Sequence, residues 1–154
     1  MKPGLGDLIS AARRVHAAVD LIDHEMCKAL LLNRTDLRAL NRLEEGPKTA
    51  KLLGEELGLT SGSVTALIDR LEARDLVKRE KIGPDRRSVS VVMQADAHER
   101  LGGLYRSCAE ALDRAFTAEF GADGLSDAAH TIALLGDGFE AGLAHIRTAI
   151  DSDG

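Results

Sequence analysis

The sequence predicts a mainly α-helical fold interrupted once by a short antiparallel β-hairpin. Three observations lead there. Apolar residues recur at spacings of three and four through most of the 154 residues. After Asp75 the pattern switches once, to a stretch rich in Val and Ile with a Gly-Pro tip. The run Leu57-Gly58-Leu59-Thr60 ends one short helix and starts another.

The first segment, residues 1–32, reads as a long helix. Leu8, Ala12, Val15, Val19, Ile22, Met26 and Leu30 follow one another at steps of four and three, the seam of a helix that packs on other helices. In the second segment, residues 33–94, Leu52, Leu53 and Leu57 belong to a short helix. Gly58 stands where the chain must turn through a left-handed conformation. Thr60 or Ser61 offers the oxygen that caps the next helix, expected over residues 61–73. Val64, Leu67, Ile68 and Leu71 make its buried stripe. The opposite face then carries Ser61, Gly62, Ser63, Thr65, Ala66 and Asp69, with Arg70 and Arg74 at its border. Residues 76–82 and 88–93 read as two strands around the tip Gly83-Pro84-Asp85-Arg86-Arg87-Ser88. The third segment, residues 95–154, holds two more long helices. Leu101, Leu104, Tyr105, Cys108, Leu112 and Phe116 line the first, and Ala128, Ile132, Leu135, Phe139, Leu143, Ile146 and Ile150 line the second. The last three residues read as a disordered tail. The terminal stripes, above all Leu8, Ala12, Val15 and Val19 with Ile132, Leu135, Phe139, Leu143 and Ile146, bury more apolar surface against a second copy than alone. The stripe from Leu101 to Phe116 can also close within one chain.

Two helices at a sharp angle let the second enter a major groove, while a neighbouring hairpin carries an arginine into the minor groove. Small and hydroxyl residues at the start of the second helix allow close approach to base edges and phosphates. Residues 48–93 therefore read as a head for duplex DNA. Charge agrees locally. Residues 70–90 hold seven bases, Arg70, Arg74, Lys78, Arg79, Lys81, Arg86 and Arg87, against four acids, although the whole chain carries −5. Only the local field matters at physiological salt, where screening acts over roughly 8 to 10 Å.

The run from Leu57 to Glu80, followed by Gly83-Pro84-Asp85-Arg86-Arg87-Ser88, resembles the winged helix-turn-helix of MarR-type transcriptional regulators. The likeness extends over the whole chain, with a long helix before the head and two after it. It implies a two-stranded β-wing between long N- and C-terminal dimerisation helices. It also implies a homodimer that binds a pseudo-palindromic operator in double-stranded DNA, usually as a repressor released by a small ligand or an oxidant. Carried onto this chain, the resemblance makes residues 61–73 the recognition helix and Asp85, Arg86 and Arg87 the wing tip. Asp85 then holds the arginine pair, one member of which enters the minor groove. Lys78 joins the DNA-facing set. The strand end Val91-Val92-Met93-Gln94 departs from the family's usual Leu-Thr pair, so Asp96 is expected to cap the following helix.

Other classes fit less well. The chain has no Gly-rich phosphate loop, no Gly-x-Ser-x-Gly elbow and no His-Glu-x-x-His, so no enzyme is expected. A winged helix that binds only protein keeps the apolar pattern but does without the tip arginines. Cys27 and Cys108 lie on or beside apolar stripes, the setting of small buried hydrophobes rather than redox sensors. His24 and Cys27 stand one turn apart, with His16, Glu25, Glu110 and His98 as distant partners, a pattern too sparse to expect a metal or other cofactor. With one Tyr and three Phe, a ligand pocket relies on Tyr105, Phe116 and aliphatic residues, which suits a small phenolic or lipophilic acid. No apolar run approaches the ~20 residues of a membrane span, and Met1-Lys2-Pro3-Gly4 lacks a signal core, so a cytoplasmic protein is expected.

Overall fold

The computed structural model describes residues 4–81, 89–121 and 124–152. The described elements are α1 (Leu5–Leu30), α2 (Arg34–Glu44), β1 (Lys48–Thr49), α3 (Ala50–Leu57), α4 (Ser61–Glu72), β2 (Val77–Lys81), β3 (Val89–Met93), α5 (Ala95–Phe120) and α6 (Gly124–Ser152). The chain divides within α5 into two units, one ending at Leu104 and one beginning at Tyr105.

The first unit holds α1 and the winged head. Helix α2, to which the sequence reading gave no element, begins where the Asn33 side chain accepts from the Asp36 backbone N–H at 2.8 Å. It buries Leu37, Ala39, Leu40 and Leu43. Thr49 caps α3 by accepting from the Leu52 N–H, and Thr60 caps α4 by accepting from the Ser63 N–H at 3.3 Å. Gly58 takes φ +68 between the two helices, the left-handed turn its position demands. Gly54 of α3 faces α4, where an added Cβ would make ordinary contact with Val64 Cγ1 at 3.4 Å.

The stripe Val64, Leu67, Ile68 and Leu71 is buried as expected. It shares a core with Leu37, Leu40, Leu53, Val77 and Leu101, each almost wholly shielded from solvent. Each such side chain contributes about 1.5 to 3 kcal/mol by leaving water.

The wing contains one strand more than the two expected. β1 pairs antiparallel with β3 through Lys48 and Val91, and the sheet order is β1-β3-β2. Two residues are too few to show an alternating pattern, so only their pairing with β3 makes them a strand. β2 and β3 run antiparallel with Val77 opposite Met93 and Lys81 opposite Val89, close to the expected bounds. The expected cap Asp96 lies inside the first turn of α5, which starts at Ala95; there its carboxylate complements the helix dipole rather than capping the end. Ala97 and Leu101 of α5 complete the core of the head.

Along α1, Met26, Cys27 and Leu30 are buried, as is Ala12, whereas Leu8, Val15 and Val19 are exposed. The second unit holds the rest of α5 and all of α6. Phe116 and Phe120 pack with ring centroids 5.8 Å apart. No described side chain of α6 is buried, and Ile132, Leu134, Phe139, Leu143, Ile146 and Ile150 are exposed. No helix among the described residues is long and apolar enough to cross a membrane.

Candidate nucleic-acid interface

The exposed face of α4 carries the residues the sequence placed there: Ser61, Gly62, Ser63, Thr65, Ala66 and Asp69 all reach solvent. Its polarity is partly used locally. Thr65 Oγ1 donates to the Ser61 carbonyl at 2.8 Å, and Thr60 Oγ1 and Ser63 Oγ lie 2.9 Å apart. What remains is a low, hydroxyl-rich surface over the first two turns, where side chains do not keep another molecule at a distance.

The basic residues at the border of this face are engaged otherwise than expected. The sequence places Arg70 at the border of the DNA-facing set, and in the structure its Nε and Nη2 both donate to the carboxylate of Asp36 on α2. Asp36 is only 2% exposed. A carboxylate shut away from water needs a charged partner, and the forked guanidinium supplies one with two parallel bonds. Hydrogen bonding to Asp36 raises the Arg70 pKa further above its ordinary value. Arg74, placed at the same border, turns to the end of α1, where Nη1 donates to the Leu31 carbonyl at 2.7 Å and Nη2 to the Leu30 carbonyl at 2.6 Å. Both guanidinium groups therefore serve the fold first, because packing brings unmet acceptors to them.

Asp69 has a partner that the sequence reading did not single out. Arg79 of β2 donates through Nη2 to Asp69 and through Nη1 and its backbone N–H to Glu72, so it ties α4 to the wing. The hydrogen bond to Asp69 is the main cause of its raised pKa. The legible signal was two acids one turn apart, Asp69 and Glu72, followed by a base on the next strand. Lys78 is exposed on β2 and donates to Glu80 at 3.2 Å. The wing-tip residues Asp85, Arg86 and Arg87 lie outside the described residues.

Two open clefts flank the face. One, of about 380 Å³, is bordered by Arg34 and Thr35 at the start of α2 together with Ser63, Ala66 and Arg70. The other, of about 340 Å³, lies between α3 and α4 and includes Lys51, Glu55, Ser61 and Thr65. Arg34, Thr35 and Lys51 widen the polar surface beyond the residues read from sequence; the capping pattern Asn33-Arg34-Thr35-Asp36 was the available sign of that helix start.

Neither side chemistry gains support from the geometry. Cys27 is buried, and burial, reinforced by nearby Asp23, pushes its thiol pKa up, the opposite of what a thiolate sensor needs. Among the described residues no three His, Cys, Asp or Glu side chains gather as a metal site.

Comparison with known proteins bears on the family and the fold. A family model described as MarR family matches residues 32–88. The uncharacterized HTH-type transcriptional regulator YcgE of Bacillus subtilis (strain 168) is 40% identical over 111 residues, which cover 70% of this chain and 72% of the relative. The chain belongs to the MarR family. A second relative from the same strain, the uncharacterized HTH-type transcriptional regulator YkoM, is 35% identical over 86 residues, 55% of this chain and 56% of the relative. The MarR-family fold extends through the terminal helices. A MarR family protein from Bacillus stearothermophilus superposes with a TM-score of 0.68 at 19% identity, covering 88% of this chain and 95% of that one. Transcriptional regulator Tm0710 from Thermotoga maritima gives 0.63 at 20% identity, with 89% and 96% covered. As a MarR-family transcriptional regulator, the protein presents its winged head as the part that matches the family model.

Proposed function

We propose that this regulator is a homodimeric repressor that binds a pseudo-palindromic operator in double-stranded DNA and leaves it when a small phenolic or lipophilic acid binds. The observation that carries the reading is the exposed face of α4, with Ser61, Gly62, Ser63, Thr65 and Ala66 capped at Thr60 and set beside a β-hairpin. Side chains this short admit the edge of a base pair, and the hydroxyls supply donors and acceptors that read it. The tip arginines, Arg86 and Arg87, supply the minor-groove contact, and Lys78 supports it at the phosphates.

A second copy is favoured by what is left uncovered. Leu8, Val15 and Val19 on α1, and Ile132, Phe139, Leu143 and Ile146 on α6, are exposed apolar residues at helical spacing. Solvent does not favour such surfaces, and an equal copy covers them with matching stripes. The acidic ligand rests on family behaviour, with Tyr105 and Phe116 as the aromatic residues that suit it.

Binding to duplex DNA, followed by fluorescence anisotropy against salt concentration, tests this function. Six phosphate contacts predict a loss of roughly 10³ in affinity between 50 and 200 mM salt. Arg86→Ala with Arg87→Ala should weaken binding by roughly 30-fold or more, since phosphate and groove contacts of arginine each carry about 1 to 3 kcal/mol and two are removed. The thermal midpoint should not move. Equal affinity of the wild type and the double variant rejects the wing assignment, and affinity indifferent to salt rejects phosphate contact. Ligand release requires that saturating operator weaken ligand binding by the same factor as ligand weakens operator binding.

A further inference from the structure

Arg74 occupies a place where two helices end. Helix α1 stops with Leu31 at φ 52, its N–H on the Lys28 carbonyl and the Leu32 N–H on the Cys27 carbonyl at 2.8 Å. The end of α4 repeats this geometry: Asp75 has φ 55, its N–H meets the Glu72 carbonyl, and the Leu76 N–H meets the Leu71 carbonyl at 3.0 Å. These are the paired bonds of a left-handed helix stop. Glycine usually stands at the left-handed position, because a side chain there is strained. Here a leucine and an aspartate accept that conformation, and Leu31 does so while 82% exposed, without burial to offset the cost.

The two stops are joined by one side chain. Arg74 precedes Asp75 and crosses to α1, where its two terminal nitrogens hold the Leu30 and Leu31 carbonyls at 2.6 and 2.7 Å. Those carbonyls lie at the negative end of the α1 dipole, and a guanidinium both satisfies them and neutralises the negative ends of two helices. Its planar fork reaches two acceptors at once, so it restricts the angle between the helices as well as their distance.

We infer that Arg74 is a positioning residue: by clamping the end of the recognition helix α4 to the end of α1, it sets the separation of the two recognition helices in the dimer and so selects the half-site spacing of the operator. The inference rests on the dimeric DNA-binding function proposed above. Helix α1 carries the exposed seam residues Leu8, Val15 and Val19, whereas α4 carries the reading face. The joint between them therefore transmits the geometry of the dimer to DNA. Half-sites one turn apart lie about 34 Å from each other, and inserting one base pair moves and rotates one of them relative to its partner. A clamped joint rejects that change, and a loosened one accommodates it.

The full-length wild type, Arg74→Met and Arg74→Lys are each used to select from random-sequence duplexes long enough for two half-sites, and the recovered DNA is sequenced. Circular dichroism and gel filtration establish that each protein is folded. The wild type should recover a palindrome with one spacing, preferred over neighbouring spacings by about tenfold or more, the factor given by 1.4 kcal/mol. Arg74→Met should recover the same half-site sequence with that preference reduced below about threefold. Arg74→Lys, which keeps the charge but not the fork, should fall between them. Loss of base specificity is not expected, and a merely structural role would lower overall affinity without broadening the spacing. A folded Arg74→Met variant that keeps the single wild-type spacing overturns the inference. If that variant does not fold, an Arg74→Lys variant with unchanged spacing overturns it. A wild type that recovers no palindrome rejects the DNA-binding function itself, and the inference falls with it, a failure distinct from a variant that keeps one spacing.

Discussion

Helices α4 and α6 carry apolar stripes of the same kind and meet opposite fates. On α4, Val64, Leu67, Ile68 and Leu71 are all buried within the chain. On α6, Ile132, Phe139, Leu143, Ile146 and Ile150 remain exposed, and no described residue of that helix is buried. Periodicity states that a face needs covering; it does not say what covers it. For α4 the cover is α3 and β2 of the same head, whereas the cover proposed for α6 is another copy.

Mutation can break this contrast, and the largest effect is expected in the head. Leu67→Ala removes a fully enclosed side chain and should cost about 3 kcal/mol of stability in urea unfolding, within the usual 2 to 5 kcal/mol for such a cavity. A cost under about 1 kcal/mol would mean that the α4 stripe is less enclosed than its burial indicates. Ile132→Glu comes next and should act by a different route. Because Ile132 is 57% exposed in the single chain, the charge costs little there, and its penalty should fall on association. Sedimentation equilibrium should register a dimer dissociation constant raised by about 100-fold or more, equivalent to about 2.7 kcal/mol. An unchanged constant would remove α6 from the proposed interface.

Arg70→Met sharpens the comparison at a smaller scale. It leaves the enclosed Asp36 carboxylate without its forked partner, which disrupts the junction of α2 and α4 without touching the apolar stripe. Orphaned buried charges cost about 3 to 5 kcal/mol, and access of water to a guanidinium site that is 45% exposed brings the expectation to about 2 kcal/mol. Double substitution of Asp36→Asn with Arg70→Met should recover part of that loss. Failure to recover would mean that Arg70 acts through something other than Asp36.

Much of the head was legible because its signals are local. The cap at Thr60, the turn at Gly58 and the stripe from Val64 to Leu71 are set by residues within a turn or two of one another. Helix α2 has equally local signals, with Asn33 and Asp36 at its start and Leu37, Leu40 and Leu43 one turn apart. Strand β1 was not legible, since Lys48 and Thr49 become a strand only by pairing with Val91 and Ser90. On α1 the continuous stripe hid a division: the end near Met26, Cys27 and Leu30 packs into the head, while Val15 and Val19 do not.

By itself the sequence determined the helices, the turn between α3 and α4 and the face that α4 shows to solvent, because these follow from interactions between neighbours along the chain. Only the tertiary structure decided the partners of the charges. Arg70 finds Asp36 across 34 residues and Arg74 finds the Leu30 carbonyl across 44. A guanidinium has no periodicity to betray its destination, and it goes wherever packing leaves a carboxylate or a helix end without enough water.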